Sequence, residues 1–169
     1  DTGNFIIGDT LYTGKTRFEF EPLPTFPPEI FDLVLPKDTM KAKQFQKGVQ
    51  QLAQEGAIQV YHNEYNETVI GAVGQLQIEV FQYRLENEYN APVRMNNLDY
   101  TVARWVKTDS EDGTATPDEI DKLKMKLDSR TMLVFDRFER PLILFANQFA
   151  LTYFKERHSE IELLEATEV

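Results

Sequence analysis

The chain has 169 residues, 41% of them apolar, which is enough for one substantial core or two small linked ones but too few for a multidomain enzyme. It contains no cysteine and no wholly apolar run longer than 142–146, which excludes a disulfide scaffold, a cysteine zinc site and a membrane span of roughly 20 residues. The formal net charge of -10 excludes indiscriminate binding to DNA and other polyanions, because affinity for phosphates comes from clustered Lys and Arg.

The charge is shared evenly along the chain. Basic and acidic residues number 8 and 13 up to Asn96, and 10 and 15 after it, so neither part is a basic tail. Any nucleic-acid contact must therefore come from one local basic face. We expect a cytoplasmic protein without a metal site. Because the chain begins at Asp1 rather than Met, we also expect it to be a segment of a longer protein.

The first 22 residues predict the last strands of a β unit. Apolar and polar side chains alternate from residue 4 to residue 21, with turns at Gly8-Asp9 and Thr13-Gly14. The segment 22–28 then holds four prolines in seven residues, which removes backbone donors and favours an extended path. We therefore predict a linker there and a domain boundary after residue 22.

Residues 23–98 predict a ferredoxin-like half. Hydrophobic periodicity, Gly56 as a helix stop and the polar turn at 63–66 predict the order βαββαβ, which is typical of ferredoxin-like domains. The predicted strands cover 29–35, 57–62, 67–73 and 92–98, and the predicted helices cover 38–55 and 75–88.

Residues 99–169 predict a second small α+β half. Thr116 is suited to cap a helix, since Pro117 follows at the first helical position and Glu119 completes a capping box. The predicted strands cover 100–106, 132–136, 142–145 and 161–164, and a further helix covers 148–158. The sequence contains no internal repeat. From the predicted strands and helices, the predicted class is α+β, with two halves packed as one domain.

The helix predicted over 75–88 has apolar residues on two nearly opposite faces. One face carries Ile78, Phe81, Leu85 and Tyr89, and the other carries Leu76, Val80 and Tyr83. A single wide core would explain both faces. We favour a helix that packs on its own sheet with one face and against the C-terminal half with the other.

No motif in the sequence supports catalysis. The segment Gly8 to Thr16 resembles a phosphate-binding loop, but five residues instead of four precede Gly14-Lys15-Thr16, and β residues follow it. The two histidines, His62 and His158, lack a partner at ligand spacing, and the acid pairs match no catalytic arrangement. We therefore predict no catalytic, cofactor-binding or metal-binding residue in this chain.

A basic surface is the one candidate binding feature. Four lysines are predicted to lie on one broad side of the first helix, opposite an apolar face, and three arginines could extend that surface. An ordinary solubilising helix surface remains an alternative, because no aromatic residue interleaves the lysines. The candidate residues are Lys37, Lys41, Lys43, Lys47, Arg84, Arg94 and Arg104.

Four stretches resemble translational GTPases of the release factor 3 family. Residues 71–85, GAVGQLQIEVFQYRL, are similar to a signature of the third domain of elongation factor G relatives, a glycine followed by Glu-Leu-His-Leu-Glu. Leu76 and Glu79 fit this signature, while Gln75 and Gln77 depart from it in the direction of release factor 3. The other stretches are 26–31, 52–60 and 103–106, in matching order and spacing.

The resemblance implies that residues 1–22 end a β-barrel domain and that the rest is the third domain of the family. It also implies that the intact protein binds GTP and Mg²⁺, docks on ribosomal protein and RNA of the small subunit, and promotes departure of the class-I release factor. The GTPase residues would lie upstream of Asp1, so this chain would contact its own GTPase domain and hydrolyse nothing. Two alternatives remain, namely the third domain of an elongation factor G or ribosome-protection relative, and a ferredoxin-like module that binds a regulatory ligand.

Overall fold

The computed structural model describes residues 10, 12–15, 18 and 27–165. The strands predicted between residues 4 and 21, and the linker apart from Pro27 and Pro28, therefore lie almost wholly outside the described residues. The domain boundary after residue 22 stays a prediction.

The described residues form an α+β fold, which confirms the predicted class. The strands are β1 (Ile30–Pro36), β2 (Gln59–Asn63), β3 (Thr68–Ala72), β4 (Val93–Leu98), β5 (Val102–Val106), β6 (Thr131–Phe135), β7 (Pro141–Phe145) and β8 (Leu163–Leu164). The helices are α1 (Ala42–Gln54), α2 (Gln75–Asn87), α3 (Pro117–Lys124) and α4 (Gln148–Arg157). Within the described ranges, no helix is long and apolar enough to cross a bilayer.

The first helix starts later than the sequence predicts. Asp38 accepts a hydrogen bond from the backbone N–H of Met40 at 2.9 Å, which caps a 3₁₀ turn over Thr39–Lys41. The α-helix proper begins at Ala42. Lys37 and Lys41 therefore precede α1 and do not lie on its surface.

The first half is ferredoxin-like. Its strands lie in the order β4-β1-β3-β2 and all neighbours are antiparallel. This is the sheet that a βαββαβ chain forms when the two helices connect strands that are not neighbours.

The second half repeats this topology although the sequence has no visible repeat. The elements β5, α3, β6, β7, α4 and β8 follow the same βαββαβ order, and their strands lie in the order β6-β7-β5-β8. The second strand of each half, β2 and β6, pair antiparallel through His62 with Phe135 and Asn63 with Val134. The two halves therefore share one eight-stranded sheet.

Three buried clusters hold the fold together. One lies under α1 and α2, and another lies under α3 and α4. Alternate strand residues point to the opposite face, where a third cluster combines both halves, including Phe31 of β1 and Trp105 of β5. The halves are thus joined by the faces of the sheet that carry no helix.

The prediction that α2 packs against the C-terminal half is wrong. Its buried residues Ile78, Phe81 and Leu85 are all at most 3% exposed and belong to the cluster of the first half. Leu76 is 71% exposed and Tyr83 is 66% exposed. The contact between the halves is made by the sheet, so α2 needs only one buried face.

Candidate docking surfaces

Helix α1 separates a buried face from a basic exposed one. Phe45, Val49 and Leu52 are buried under the helix, and Gly48 lies so close to α2 that a Cβ there would meet Leu85 at 2.5 Å. The opposite face is exposed and carries Lys43 and Lys47, one helical turn apart.

The four candidate lysines do not share one helix face. Lys37 Nζ lies 4.0 Å from a carboxylate oxygen of Glu86, and Lys41 Nζ donates a hydrogen bond to Asn90 Oδ1 at 2.9 Å. These two lysines therefore connect the start of α1 to the end of α2. Lys43 and Lys47 form no ion pair with any described residue, so their ammonium groups are available to a partner.

Arg84 links the C-terminal ends of α1 and α2 through ion pairs. Its guanidinium pairs with Glu55, just after α1, and with Glu88 at 2.8 Å. The hydrogen bonds that Arg84 donates, first to Glu88 and then to Glu55, raise the pKa of Arg84, and the same contact lowers the pKa of Glu88. With two carboxylates on one guanidinium, the charge of Arg84 is already satisfied within the chain.

The other two candidate arginines lie on different halves of the sheet. Arg94 is exposed on β4, which is an edge strand. Arg104 is half-buried on β5, where it donates to the carbonyl of Ala103 at 2.7 Å and to Glu165 at 3.1 Å. Arg104 therefore lies apart from the other candidates, in the second half, and Lys43, Lys47 and Arg94 are the exposed candidates that form no ion pair with a described residue.

A second exposed surface lies on α2, and the sequence interpretation assigned it to the interior. It comprises Val73, Leu76, Val80 and Tyr83, which are 46%, 71%, 43% and 66% exposed, and we call it the α2 apolar stripe. The spacing of the last three residues follows the helical period, so their alignment was visible in the sequence. The sequence did not show, however, that no described residue covers them.

Two small cavities lie in the described part of the chain. One of about 230 Å³ lies between α4 and the segment that follows α3, and one of about 290 Å³ lies beside Tyr65 and Lys124. Small-molecule sites usually measure roughly 300–1,000 Å³. Lys126 and Arg130, beside the first cavity, already pair with Glu160 and Asp128. These features do not favour the ligand-binding alternative, and no described group of three or more His, Asp or Glu side chains could hold a metal ion.

The described residues form two ferredoxin-like halves on one sheet, with an exposed basic face on α1 and an exposed apolar stripe on α2. The family model described as class II release factor RF3, C-terminal domain, matches residues 20–155. The chain therefore belongs to the release factor RF3 family, in agreement with the resemblance of its four motifs.

Individual relatives agree with this family. A peptide chain release factor 3 of Lactobacillus delbrueckii subsp. bulgaricus is 51% identical over 166 residues. Proteins of the same name from Streptococcus sanguinis and Streptococcus pneumoniae are each 49% identical over the same length. Each match covers 98% of this chain and 30% of the relative, so the chain spans less than a third of the length of these curated relatives.

Proposed function

We propose that this chain is the non-catalytic, ribosome-docking part of a release factor 3 that acts in the cytoplasm during translation termination. In this proposal the intact protein is a GTPase that binds GTP and Mg²⁺ through its own GTPase domain, upstream of this chain. It docks on protein and RNA of the small ribosomal subunit and promotes dissociation of the class-I release factor. Membership of the release factor RF3 family supports this role.

The observation that carries the docking proposal is the exposed pair Lys43 and Lys47. The chain has a formal net charge of -10, so it can approach RNA only through a local basic surface. Lys43 and Lys47 project from the outer face of a helix whose inner face is anchored in the core. We infer that they contact ribosomal phosphates or acidic side chains as positioning charges, without reading a sequence.

The test replaces both lysines in the intact protein, as Lys43→Glu with Lys47→Glu. Binding to ribosomes is measured by co-sedimentation over a series of salt concentrations, together with ribosome-stimulated GTP turnover. We expect weaker binding and slower turnover, with unchanged nucleotide affinity. The plot of log affinity against log salt should flatten by about one unit for each lost phosphate contact.

A matched control moves the same charge change to the second half, as Lys122→Glu with Lys155→Glu. Both lysines are exposed, and they lie on α3 and α4. The control should bind like the parent protein. Equal salt dependence of the parent, the Lys43 and Lys47 variant and the control would mean that the α1 face is only a solvated surface.

A further inference from the structure

The α2 apolar stripe is too contiguous to be ordinary surface composition. Single exposed apolar residues are normal in soluble proteins, whereas adjoining ones usually mark an interface. Here Leu76, Val80 and Tyr83 follow one another along a helix, and Val73 extends the row at its N-terminal end. Gln75 and Glu79 are exposed beside them, which makes the surface mixed in polarity, as interfaces between domains of one chain are.

The chain enters the first strand of the sheet beside the N-terminal end of the α2 apolar stripe. Glu29 donates a backbone hydrogen bond to the carbonyl of Ala72 at 3.0 Å. Pro28 packs over Gly71 so closely that a Cβ on that glycine would lie 2.9 Å from it. Ala72 directly precedes Val73, the first member of the stripe. Whatever precedes Pro28 is therefore tethered beside the N-terminal end of α2, at a high effective concentration.

The relatives supply an occupant of sufficient size. The matching region is the C-terminal domain of the family, and it spans 30% of the relatives' length. Most of an intact family member therefore precedes this region and joins it next to the stripe. We propose that the α2 apolar stripe is an intramolecular docking surface, covered by the part of the intact protein that lies upstream of this chain.

This contact sets the orientation of the C-terminal module relative to the rest of the factor. It forms within one molecule, so it exists in the absence of ribosomes and does not rest on the proposed docking function. Apolar contact with α2 also gives the helix a second partner in the intact protein, in addition to its own sheet.

The experiment uses the absence of native cysteine in this chain. Tyr83→Cys is introduced in the intact protein and in the isolated chain, and the rate of alkylation by a thiol reagent is followed on the α2 peptide by mass spectrometry. Glu156→Cys, exposed on α4, is the matched control. Since Tyr83 is mostly exposed, its replacement should leave the fold intact, and Leu76→Cys repeats the measurement if it does not.

We expect alkylation of the Tyr83→Cys variant to be at least about tenfold slower in the intact protein than in the isolated chain, independent of protein concentration and without ribosomes. The Glu156→Cys control should react at similar rates in both. Equal rates at position 83 would overturn the proposal. Protection that appears only when ribosomes are added would assign the stripe to the ribosome, and protection that grows with protein concentration would assign it to a second copy, and both outcomes reject an intramolecular partner.

Discussion

Asp136 shows how much of this fold depends on one buried carboxylate. It accepts a hydrogen bond from Trp105 Nε1 at 3.1 Å and from Arg140 Nε at 2.8 Å. It also accepts from the backbone N–H groups of Phe138 at 2.8 Å and Arg140 at 3.1 Å. One side chain therefore ties β5 to the turn between β6 and β7 and neutralises an adjoining guanidinium.

The first prediction is that Asp136→Ala lowers the free energy of unfolding by about 3–5 kcal/mol, because it leaves Arg140 without its partner in a mostly buried place. Denaturant unfolding followed by tryptophan fluorescence measures this, since Trp105 is the single tryptophan. Asp99→Ala, at an exposed position, serves as the control and should change stability by less than about 0.5 kcal/mol. An equally small effect at Asp136 would contradict a structural role for its hydrogen bonds.

At the scale of the element, α2 shows that apolar residues aligned on one face of a helix need not be buried. Phe81 is 1% exposed and Leu76 is 71% exposed, although both belong to apolar rows of the same helix. In the isolated chain we expect Phe81→Ala to cost about 3–5 kcal/mol and Leu76→Ala to cost less than about 0.5 kcal/mol. Thermal or denaturant unfolding measures both. A cost above about 2 kcal/mol for Leu76→Ala would place that face in a core.

Helix α3 carries a local interaction that responds to pH. The Glu119 carboxylate accepts from the backbone N–H of Thr116 at 2.7 Å and from its hydroxyl at 2.8 Å, while Thr116 Oγ1 accepts from the Glu119 N–H. The hydrogen bonds from Thr116, first its backbone and then its side chain, lower the pKa of Glu119 below its ordinary value of 4.5.

A depressed carboxyl pKa contributes stability that is present above the unfolded pKa and is lost as pH falls through the folded pKa. We therefore expect Glu119→Gln to be less stable than the parent near neutral pH, and the difference to shrink as the solution is acidified below about pH 4.5. Melting temperatures measured from about pH 7 to about pH 3 provide the comparison. Glu111→Gln, exposed in the preceding loop, should show no such convergence. A constant difference at every pH would argue against an ionised capping carboxylate.

At the scale of the whole molecule, the two halves should unfold as one cooperative unit if the buried cluster that they share couples them. Phe31 is fully buried on β1, and its ring lies 6.2 Å from that of Tyr61 in the cluster that also contains Trp105. The β2 and β6 strands add only two paired positions between the halves. Cooperativity across the molecule must therefore come mainly from apolar packing, with the hydrogen-bonded ladder in second place.

The last prediction is that Phe31→Ala, in the first half, destabilises the second half as much as it destabilises the first. We expect about 3–5 kcal/mol, with coincident midpoints for Trp105 fluorescence and far-UV circular dichroism. Phe149→Ala, at a 70% exposed position on α4, is the control and should leave both midpoints nearly unchanged. If Trp105 kept its parental midpoint in the Phe31 variant, the halves would be independent folding units.

Most local features of this protein are encoded locally, and sequence reasoning recovers them apart from the start of α1. Thr116, Pro117 and Glu119 specify the start of α3, and alternating residues specify the strands, because capping and periodicity act over a few neighbouring positions. Family membership was likewise readable, from motifs in which residue identity and spacing coincide over nearly the whole chain.

Tertiary structure decided which of the predicted faces are used. The apolar row of Leu76, Val80 and Tyr83 was visible in the sequence, but its exposure follows from the pairing of β2 with β6, which lets the sheet faces join the halves instead of the helix. Lys41 lies in a 3₁₀ turn that precedes α1 and donates a hydrogen bond to Asn90, so it does not share the exposed face of Lys43. Helical periodicity defines a face without naming what covers it, and that partner is set by contacts between residues distant in the chain.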